Sequence, residues 1–293
     1  MIRIAAVIPT HNRIKYLKNI LNDLYNQKAS NSILEIIVVV DGSTDGTLEM
    51  LKKEYPKVKI VLGNGEWWYT KSMNEGFKLG LKLKEDFFLT LNDDLSLPGD
   101  YVKKLLDDYN GLEKNSILGS ISISDTFPYR ITFSGVKKII MWRLKEIPYI
   151  KKFSVVCPDE LFGILPSPIL SGRGILIPAK LLTDLNYYDE KLPQYGSETD
   201  FCLRAFKNNI NIYITYNAQV YENKSLTSKG AAYNKPRLSE FVRSMFDIYS
   251  INSIRKSLYM YRKHCNMLAI PILFVILTLG LFKVYYLKYR SLK

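Results

Sequence analysis

The run Ile36-Ile37-Val38-Val39-Val40-Asp41-Gly42-Ser43-Thr44-Asp45-Gly46-Thr47 decides the architecture. Its five β-branched residues read as a strand covered on both faces, as central strands of parallel sheets are. The polar, glycine-bearing end stops the strand, and a segment of helical period then runs from Thr47 to Tyr55. Gly42 and Gly46 allow the backbone to bend close to a ligand, and Asp45 suits a helix cap. Neither the Gly-x-Gly-x-x-Gly spacing of a dinucleotide fingerprint nor that of a Walker loop is present, which counts against a dehydrogenase or an NTPase.

Working outward, strand-like and helical segments alternate. Ile4–Ile8 reads as an earlier strand, and Ile14, Leu17, Ile20, Leu21 and Leu24 fall on one face of the helix that follows it. Val58–Leu62 and Phe87–Leu91 read as further strands, with a helix over Lys71–Lys82 between them. The alternation predicts an α/β fold, a Rossmann-like, mostly parallel sheet with flanking helices. Ligands bind such sheets at the carboxyl ends of the strands, so the polar strand endings are where chemistry should gather. Between Ser120 and Ser171 the pattern breaks into short strands and irregular segments punctuated by prolines, a stretch expected to shape the second substrate's site. A helix over Thr199–Asn208 and a strand over Ile210–Tyr216 close a domain of residues 1–223, and a basic helical tail of residues 224–293 follows.

The chain has 293 residues, 47% hydrophobic and 24% charged, which suits one α/β domain plus a tail and excludes disordered or collagen-like classes. Cys157, Cys202 and Cys265 are odd in number and far apart, which argues against a disulfide framework. With His11 and His264 as the only histidines, no zinc cluster can be assembled; any metal must be held by oxygen, which selects Mg²⁺ or Mn²⁺. The first strand begins right after Met1-Ile2-Arg3, leaving no room for a signal peptide, so the body of the chain is expected in the cytosol.

Pro9-Thr10-His11-Asn12-Arg13 follows the first strand and offers polar groups to a base or phosphate, although alone it equally fits an ordinary strand-to-helix turn. Asp41 ends the second strand, where its carboxylate is expected to be free for a base or ribose edge. Asn92-Asp93-Asp94 follows the fourth strand. Neighbouring carboxylates repel unless a cation neutralises them, so a hard divalent ion bridging them to a diphosphate is one reading, and spare acids at a helix start the other. In this order and spacing, the three segments together resemble the family 2 glycosyltransferases of the GT-A fold. Gly63-Asn64-Gly65-Glu66-Trp67-Trp68 with Met73-Asn74-Glu75-Gly76 is similar to a subgroup that includes rhamnosyltransferases. The resemblance covers about Ile4 to Glu222.

Carried over by position, the resemblance implies a nucleotide-diphosphate sugar donor, UDP- or dTDP-linked, with Thr10, Arg13, Asp41, Asn74, Asn92 and Asp93 on the donor side. It implies that Asp94 binds the metal, Mn²⁺ or Mg²⁺. Asn92 departs from the Asp the family often has there. Where the family often places a His after the last strand, this chain offers Glu222 or Asn223, which makes Glu222 the second metal candidate. Ser171-Gly172-Arg173-Gly174 resembles the acceptor-side loop, so Gly172 and Arg173, with Trp68, are expected at the acceptor. The stretch Tyr195–Arg204 matches the acidic-x-Asp segment whose first acid is usually the general base, here Glu198, with Asp200 in reserve. Inverting transfer of a hexosyl or deoxyhexosyl unit needs such a base, because the acceptor hydroxyl loses its proton as it attacks opposite the departing diphosphate. The plain alternative has Glu198 and Asp200 opening a helix and pairing with Arg204.

The net charge of +13 is concentrated in the tail, where thirteen basic residues from Lys224 onward face two acids, Glu240 and Asp247. Inside that tail, Cys265–Phe282 is a run of eighteen residues without charge, flanked by basic residues and by Tyr259, Tyr261, Tyr285 and Tyr286. A membrane span, a re-entrant helix and a surface-lying helix all fit, as does a buried helix or a homo-oligomer interface. An apolar block within a basic tail points to an anionic membrane surface rather than nucleic acid, and so to a lipid-linked glycan acceptor at the cytoplasmic face. A part in surface polysaccharide biosynthesis comes from the resemblance alone. Two rivals stand beside this reading. A sugar nucleotidyltransferase would want a glycine in a loop such as Pro9–Arg13, and a catalytically inactive nucleotide-sugar-binding protein is hinted at by Asn92 and the missing His.

Overall fold

The computed structural model describes residues 1–28, 32–223 and 237–291. The start of the tail, with Lys224, Lys229 and Lys235, and the terminal Lys293 lie outside the described residues.

Strand β1 (Ile2–Thr10) runs parallel between β2 (Ser32–Asp41) and β4 (Phe87–Thr90), with β3 (Lys59–Gly63) parallel beyond β2. On the other side, β6 (Ile117–Ser124) and β12 (Ile212–Glu222) run parallel to each other, and β11 (Ile175–Pro178) lies antiparallel between β4 and β6. Three short strands, β5 (Leu95–Ser96), β7 (Ile131–Phe133) and β10 (Ile164–Pro166), complete the sheet along β12 and β6. A separate hairpin pairs β8 (Val136–Ile140) with β9 (Lys145–Pro148).

Helices cover both faces, which is why the central strands are unbroken apolar runs. Ile4, Ala6 and Ile8 pack with α1 (Ile14–Tyr25), α2 (Thr47–Glu54) and α4 (Tyr101–Asn110). Ala5 and Val7 point the other way, to α3 (Trp68–Lys82), α5 (Ala179–Asp184) and α6 (Ser197–Lys207). Fully buried side chains such as Phe77 and Leu21 each stabilise this arrangement by roughly 2–3 kcal/mol.

Several boundaries differ from the sequence reading: β2 begins at Ser32 rather than Ile36, and α6 at Ser197 rather than Thr199. Helix α3 begins at Trp68 rather than Lys71. Strand β12 continues to Glu222 instead of stopping at Tyr216, through a register shift between Thr215 and Gln219. Its polar residues are satisfied sideways: Asn217 accepts from the Gly163 amide at 3.0 Å and donates to Asp108, while Gln219 donates to the Pro158 carbonyl.

The tail forms α7 (Leu238–Phe246), α8 (Ile254–His264) and α9 (Ile270–Ser291). Helix α8 docks on the sheet domain, with Met260 in the main core and Lys263 bound to Asp189 at 2.6 Å. Lys256 is buried as well, so part of the tail's positive charge is spent inside the protein rather than facing lipid. Phe241 and Met245 of α7 pack against Leu277, Leu281 and Tyr285 of α9. The stretch Met267–Leu287, with mean hydropathy 2.4, is long and apolar enough to cross a membrane and is almost uncovered by the rest of the chain.

Candidate active site

Strands β1, β2, β4, β6 and β12 point the same way, so their carboxyl ends share one edge. The antiparallel β11 brings its leading residues, Ser171–Gly174, to that edge too. Thr10, Asp41, Asn92–Asp94, Arg173 and Glu222 gather there accordingly.

At the centre, Arg13 reaches both acids of the triplet. Its Nη1 donates to Asp93 Oδ1 at 3.0 Å and to Asp94 Oδ2 at 3.2 Å, while the Thr10 hydroxyl donates to Asp93 Oδ2 at 2.8 Å. The cation between these carboxylates is therefore, first of all, a guanidinium of the protein. Burial pushes the Asp93 carboxyl up to about 6, against the pull of Arg13. Burial raises Asp94 as well; Arg13 opposes the rise and Glu222 adds to it. Glu222 in turn binds Arg173 Nη2 at 3.1 Å. Asp94 Oδ1 and the Asn92 amide oxygen are buried with no hydrogen-bond partner among the described residues. Unpartnered oxygens beside Glu222 suit a hard divalent ion. Among the described residues no group of three His, Cys, Asp or Glu side chains could hold an ion unaided, so ligand oxygens would have to complete its shell. A cleft of about 310 Å³ opens beside the pair, lined by Tyr16, Asn19, Asp93, Asp94, Tyr221 and Asn223 among others.

Asp41 is not the free edge that the sequence suggested. Its Oδ1 accepts from the Gly65 amide at 2.7 Å, and its Oδ2 accepts from the amides of Trp67 at 2.9 Å and Trp68 at 3.0 Å. The buried carboxylate thus folds the β3–α3 connection across the end of β2. Gly42, with φ of +64°, serves the same closure: a Cβ there would lie 2.5 Å from Gly65 Cα, so its close neighbour is this loop rather than a ligand. The Thr44 amide donates to Asn12 Oδ1 at 2.7 Å and the Ile14 amide to Asp45 Oδ2 at 2.9 Å, stitching the two donor-side loops into one unit. Asn74 is also committed elsewhere. Buried in α3, its amide donates to the Tyr188 carbonyl at 2.9 Å and accepts from the Tyr188 amide at 3.1 Å, which makes it a clamp on that loop.

On the acceptor side, Glu198 sits half-buried in the first turn of α6, where the Ser197 hydroxyl donates to it at 3.2 Å. Gly172 lies tight against it, since a Cβ at that position would come within 2.4 Å of both Glu198 Oε1 and the Tyr69 hydroxyl. Burial and then the Glu198 charge raise the Tyr69 phenol, with Arg173 opposing. Arg173 therefore acts on both sides, binding Glu222 and opposing the rise of Asp94 on one and that of Tyr69 on the other. Trp68 is exposed and stacks on Tyr249 of the tail at 4.2 Å between ring centroids, while Trp67 packs toward the core.

Asp200, the reserve base, is committed to the C-terminal segment. It is buried and receives Arg204 Nε, Lys263 Nζ and His264 Nε2, each at 2.8 Å. Burial opposes ionisation, but His264, Lys263 and Arg204 together bring the carboxyl down to about 2, which suits a structural anchor and not a proton acceptor. Three residues escaped the sequence reading. Tyr69 carried a faint signal as the third aromatic after Trp67 and Trp68, whereas Lys256 and His264 are indistinguishable from the tail's other basic residues until the chain is folded.

Curated relatives match parts of the sequence, and solved structures carry the same fold. The poly(ribitol-phosphate) β-N-acetylglucosaminyltransferase TarS of Staphylococcus aureus is 31% identical over 107 residues, 36% of this chain and 17% of that protein. The abequosyltransferase RfbV of Salmonella typhimurium is 46% identical over 48 residues, 16% of this chain and 14% of that protein. The chain thus spans under a fifth of the length of either relative. Its structure superposes on that of TarS 1–349 with a TM-score of 0.54 at 20% identity, covering 76% of this chain and 61% of the other. On GalNAc-T7 with UDP, GalNAc and Mn²⁺ the TM-score is 0.61 at 14% identity, covering 92% and 56%. At these identities the likeness speaks for the fold alone, which is GT-A. A family model matches residues 5–163, more than half of the chain, and the protein belongs to glycosyl transferase family 2.

Proposed function

We propose that this glycosyltransferase is an inverting enzyme that moves a hexosyl or deoxyhexosyl unit from a UDP- or dTDP-sugar to a hydroxyl of a lipid-linked glycan. We assign it to cell-surface polysaccharide synthesis, at the cytoplasmic face of a membrane. The observation that carries the reading is the strand edge where Arg173 binds Glu222 beside Asp94, whose Oδ1 is unpartnered, while Gly172, next to Arg173, lies against Glu198. The names of TarS and RfbV favour the polysaccharide assignment.

The donor is held by the stitched loops around Thr10, Arg13 and Asp41, with Asn92 and Asp93 below it. Asp94 and Glu222 would hold Mn²⁺ or Mg²⁺, and the ion would supply positive charge for the leaving diphosphate. Arg13 and Arg173 add fixed positive charge on the same side. Opposite them, Glu198 takes the proton of the acceptor hydroxyl as its oxygen attacks the anomeric carbon, and the bond to the diphosphate oxygen breaks on the far face. Gly172, packed against that carboxylate and the Tyr69 hydroxyl, lets the two sit close together. The exposed apolar side of α9 rests in the bilayer, which brings the cleft to a lipid-borne acceptor.

Incubation of the purified protein with UDP- and dTDP-sugars, a lipid extract and Mn²⁺ is expected to release nucleoside diphosphate and to yield a linkage of inverted anomeric configuration by NMR. Release of pyrophosphate, or a product that retains the donor's configuration, would overturn the proposal.

A further inference from the structure

Lys256 is buried in α8, yet no carboxylate pairs with it among the described residues. An ammonium in that state is costly, and an aliphatic side chain would fill the space more cheaply, so its bonds call for a role. Its Nζ donates to the Gln194 carbonyl at 2.9 Å and to the Ser250 carbonyl at 3.0 Å, and lies 4.9 Å over the Tyr195 ring. Desolvation brings its pKa down to about 8, and the charges that resist this are those of Glu198 and Asp247.

The turn it grips is the one from which the Glu198 helix starts. Tyr195 and Gly196 are both left-handed, with φ of +63° and +95°, a conformation a bulky L-residue rarely adopts unless the surroundings hold it. The same turn secures the start of α3: the Tyr69 amide donates to the Gln194 side chain at 3.3 Å and the Thr70 amide to the Pro193 carbonyl at 3.1 Å. Glu198 and Tyr69, which meet at Gly172, are thus both aimed from a turn fixed by the C-terminal segment.

We propose that Lys256 is a positioning residue for Glu198: its ammonium ties down the Gln194–Gly196 turn from which the Glu198 helix starts. The inference rests on the assignment of Glu198 as that base. The test uses the full chain, with UDP as the binding probe and the UDP- and dTDP-sugar panel for turnover. In Lys256→Met, UDP affinity is expected within about twofold of the parent and donor KM unchanged, while kcat falls about 100-fold, as for a misplaced catalytic group. Lys256→Arg should recover most of the rate, and in the residual activity of Glu198→Gln the Met substitution should add under about a twofold loss, as coupled residues do. Parent-level kcat in Lys256→Met with an inactive Glu198→Gln overturns the inference and leaves the base standing, as does a double variant whose losses multiply. An active Glu198→Gln overturns the base assignment and the inference with it. If Lys256→Met does not fold, Lys256→Gln and Lys256→Arg decide: equal kcat in the two rules out a role for the charge.

Discussion

Asp200 Oδ1 lies 2.8 Å from His264 Nε2 and 2.8 Å from Lys263 Nζ, so the helix that carries Glu198 and the C-terminal segment share one buried carboxylate. Asp200→Ala leaves the cations of Arg204 and Lys263 facing an empty site and is expected to cost about 3 kcal/mol in urea denaturation. The pH dependence has a definite sign. The folded carboxyl sits near 2, below its ordinary value of about 3.9, so its contribution is complete above about pH 4 and fades as the pH falls toward 2. The parent should lose stability through that window more steeply than Asp200→Ala, and parallel acid limbs would remove Asp200 as the anchor.

Asp41 gathers three backbone amides of the β3–α3 connection on one carboxylate. Asp41→Ala strands those donors and is expected to destabilise the fold by roughly 2–4 kcal/mol, with a loss of UDP affinity as the loop opens. Asp41→Asn retains one acceptor oxygen and should fall between the two. Calorimetric titration with UDP separates the effects: unchanged affinity in Asp41→Ala would mean that the loop does not frame the donor.

Gly172→Ala tests the acceptor side with a single methyl group. That group would sit 2.4 Å from Glu198 Oε1 and the Tyr69 hydroxyl, so one of them must move. A displacement of that size at a catalytic base is expected to lower kcat by about 10-fold or more while leaving UDP binding near the parent's. A Gly172→Ala enzyme with the parent's kcat would place the chemistry elsewhere.

Asp94→Asn keeps the shape of the side chain but removes the negative charge beside Glu222. Transfer should fall by about 1000-fold, and added Mn²⁺ should no longer strengthen UDP binding, as expected when a metal's anionic ligand is lost. The parent treated with EDTA should mimic the variant and recover on addition of Mn²⁺, whereas full activity in EDTA would leave Arg13 and Arg173 as the diphosphate's only cations.

The sequence made the frame of this site readable and hid its wiring. Runs such as Ile36–Val40 announce buried parallel strands because both faces are apolar, and the position of Asp41, Asp94 and Glu198 relative to strand and helix ends followed from that. What Asp41 binds did not follow, because its partners are backbone amides that carry no side-chain signature. The contacts of Asn74 were hidden for a related reason: an amide in a family-like motif looks the same in sequence whether or not it clamps Tyr188. Lys256 and Lys263 were read as part of a lipid-facing basic tail and His264 was given no role, since their partners Gln194 and Asp200 lie some sixty residues earlier in the chain.

The tail's two apolar faces can be tested apart. Leu277 and Leu281 of α9 pack on Phe241 and Met245, whereas Ile276 and Leu279 are exposed, so lysines at the latter two leave the packed face untouched. The full chain is expected to sediment with vesicles of phosphatidylglycerol and phosphatidylethanolamine. A charge near the middle of an embedded helix costs about 3 kcal/mol, so Ile276→Lys with Leu279→Lys should leave the protein in the supernatant. Truncation after Asn266 should release it as well while sparing His264, which truncation after Lys263 would remove together with its bond to Asp200. If both variants still sediment, the membrane is met elsewhere. If the parent ignores vesicles and instead runs as an oligomer that the double lysine variant breaks, α9 is a contact between copies of this chain.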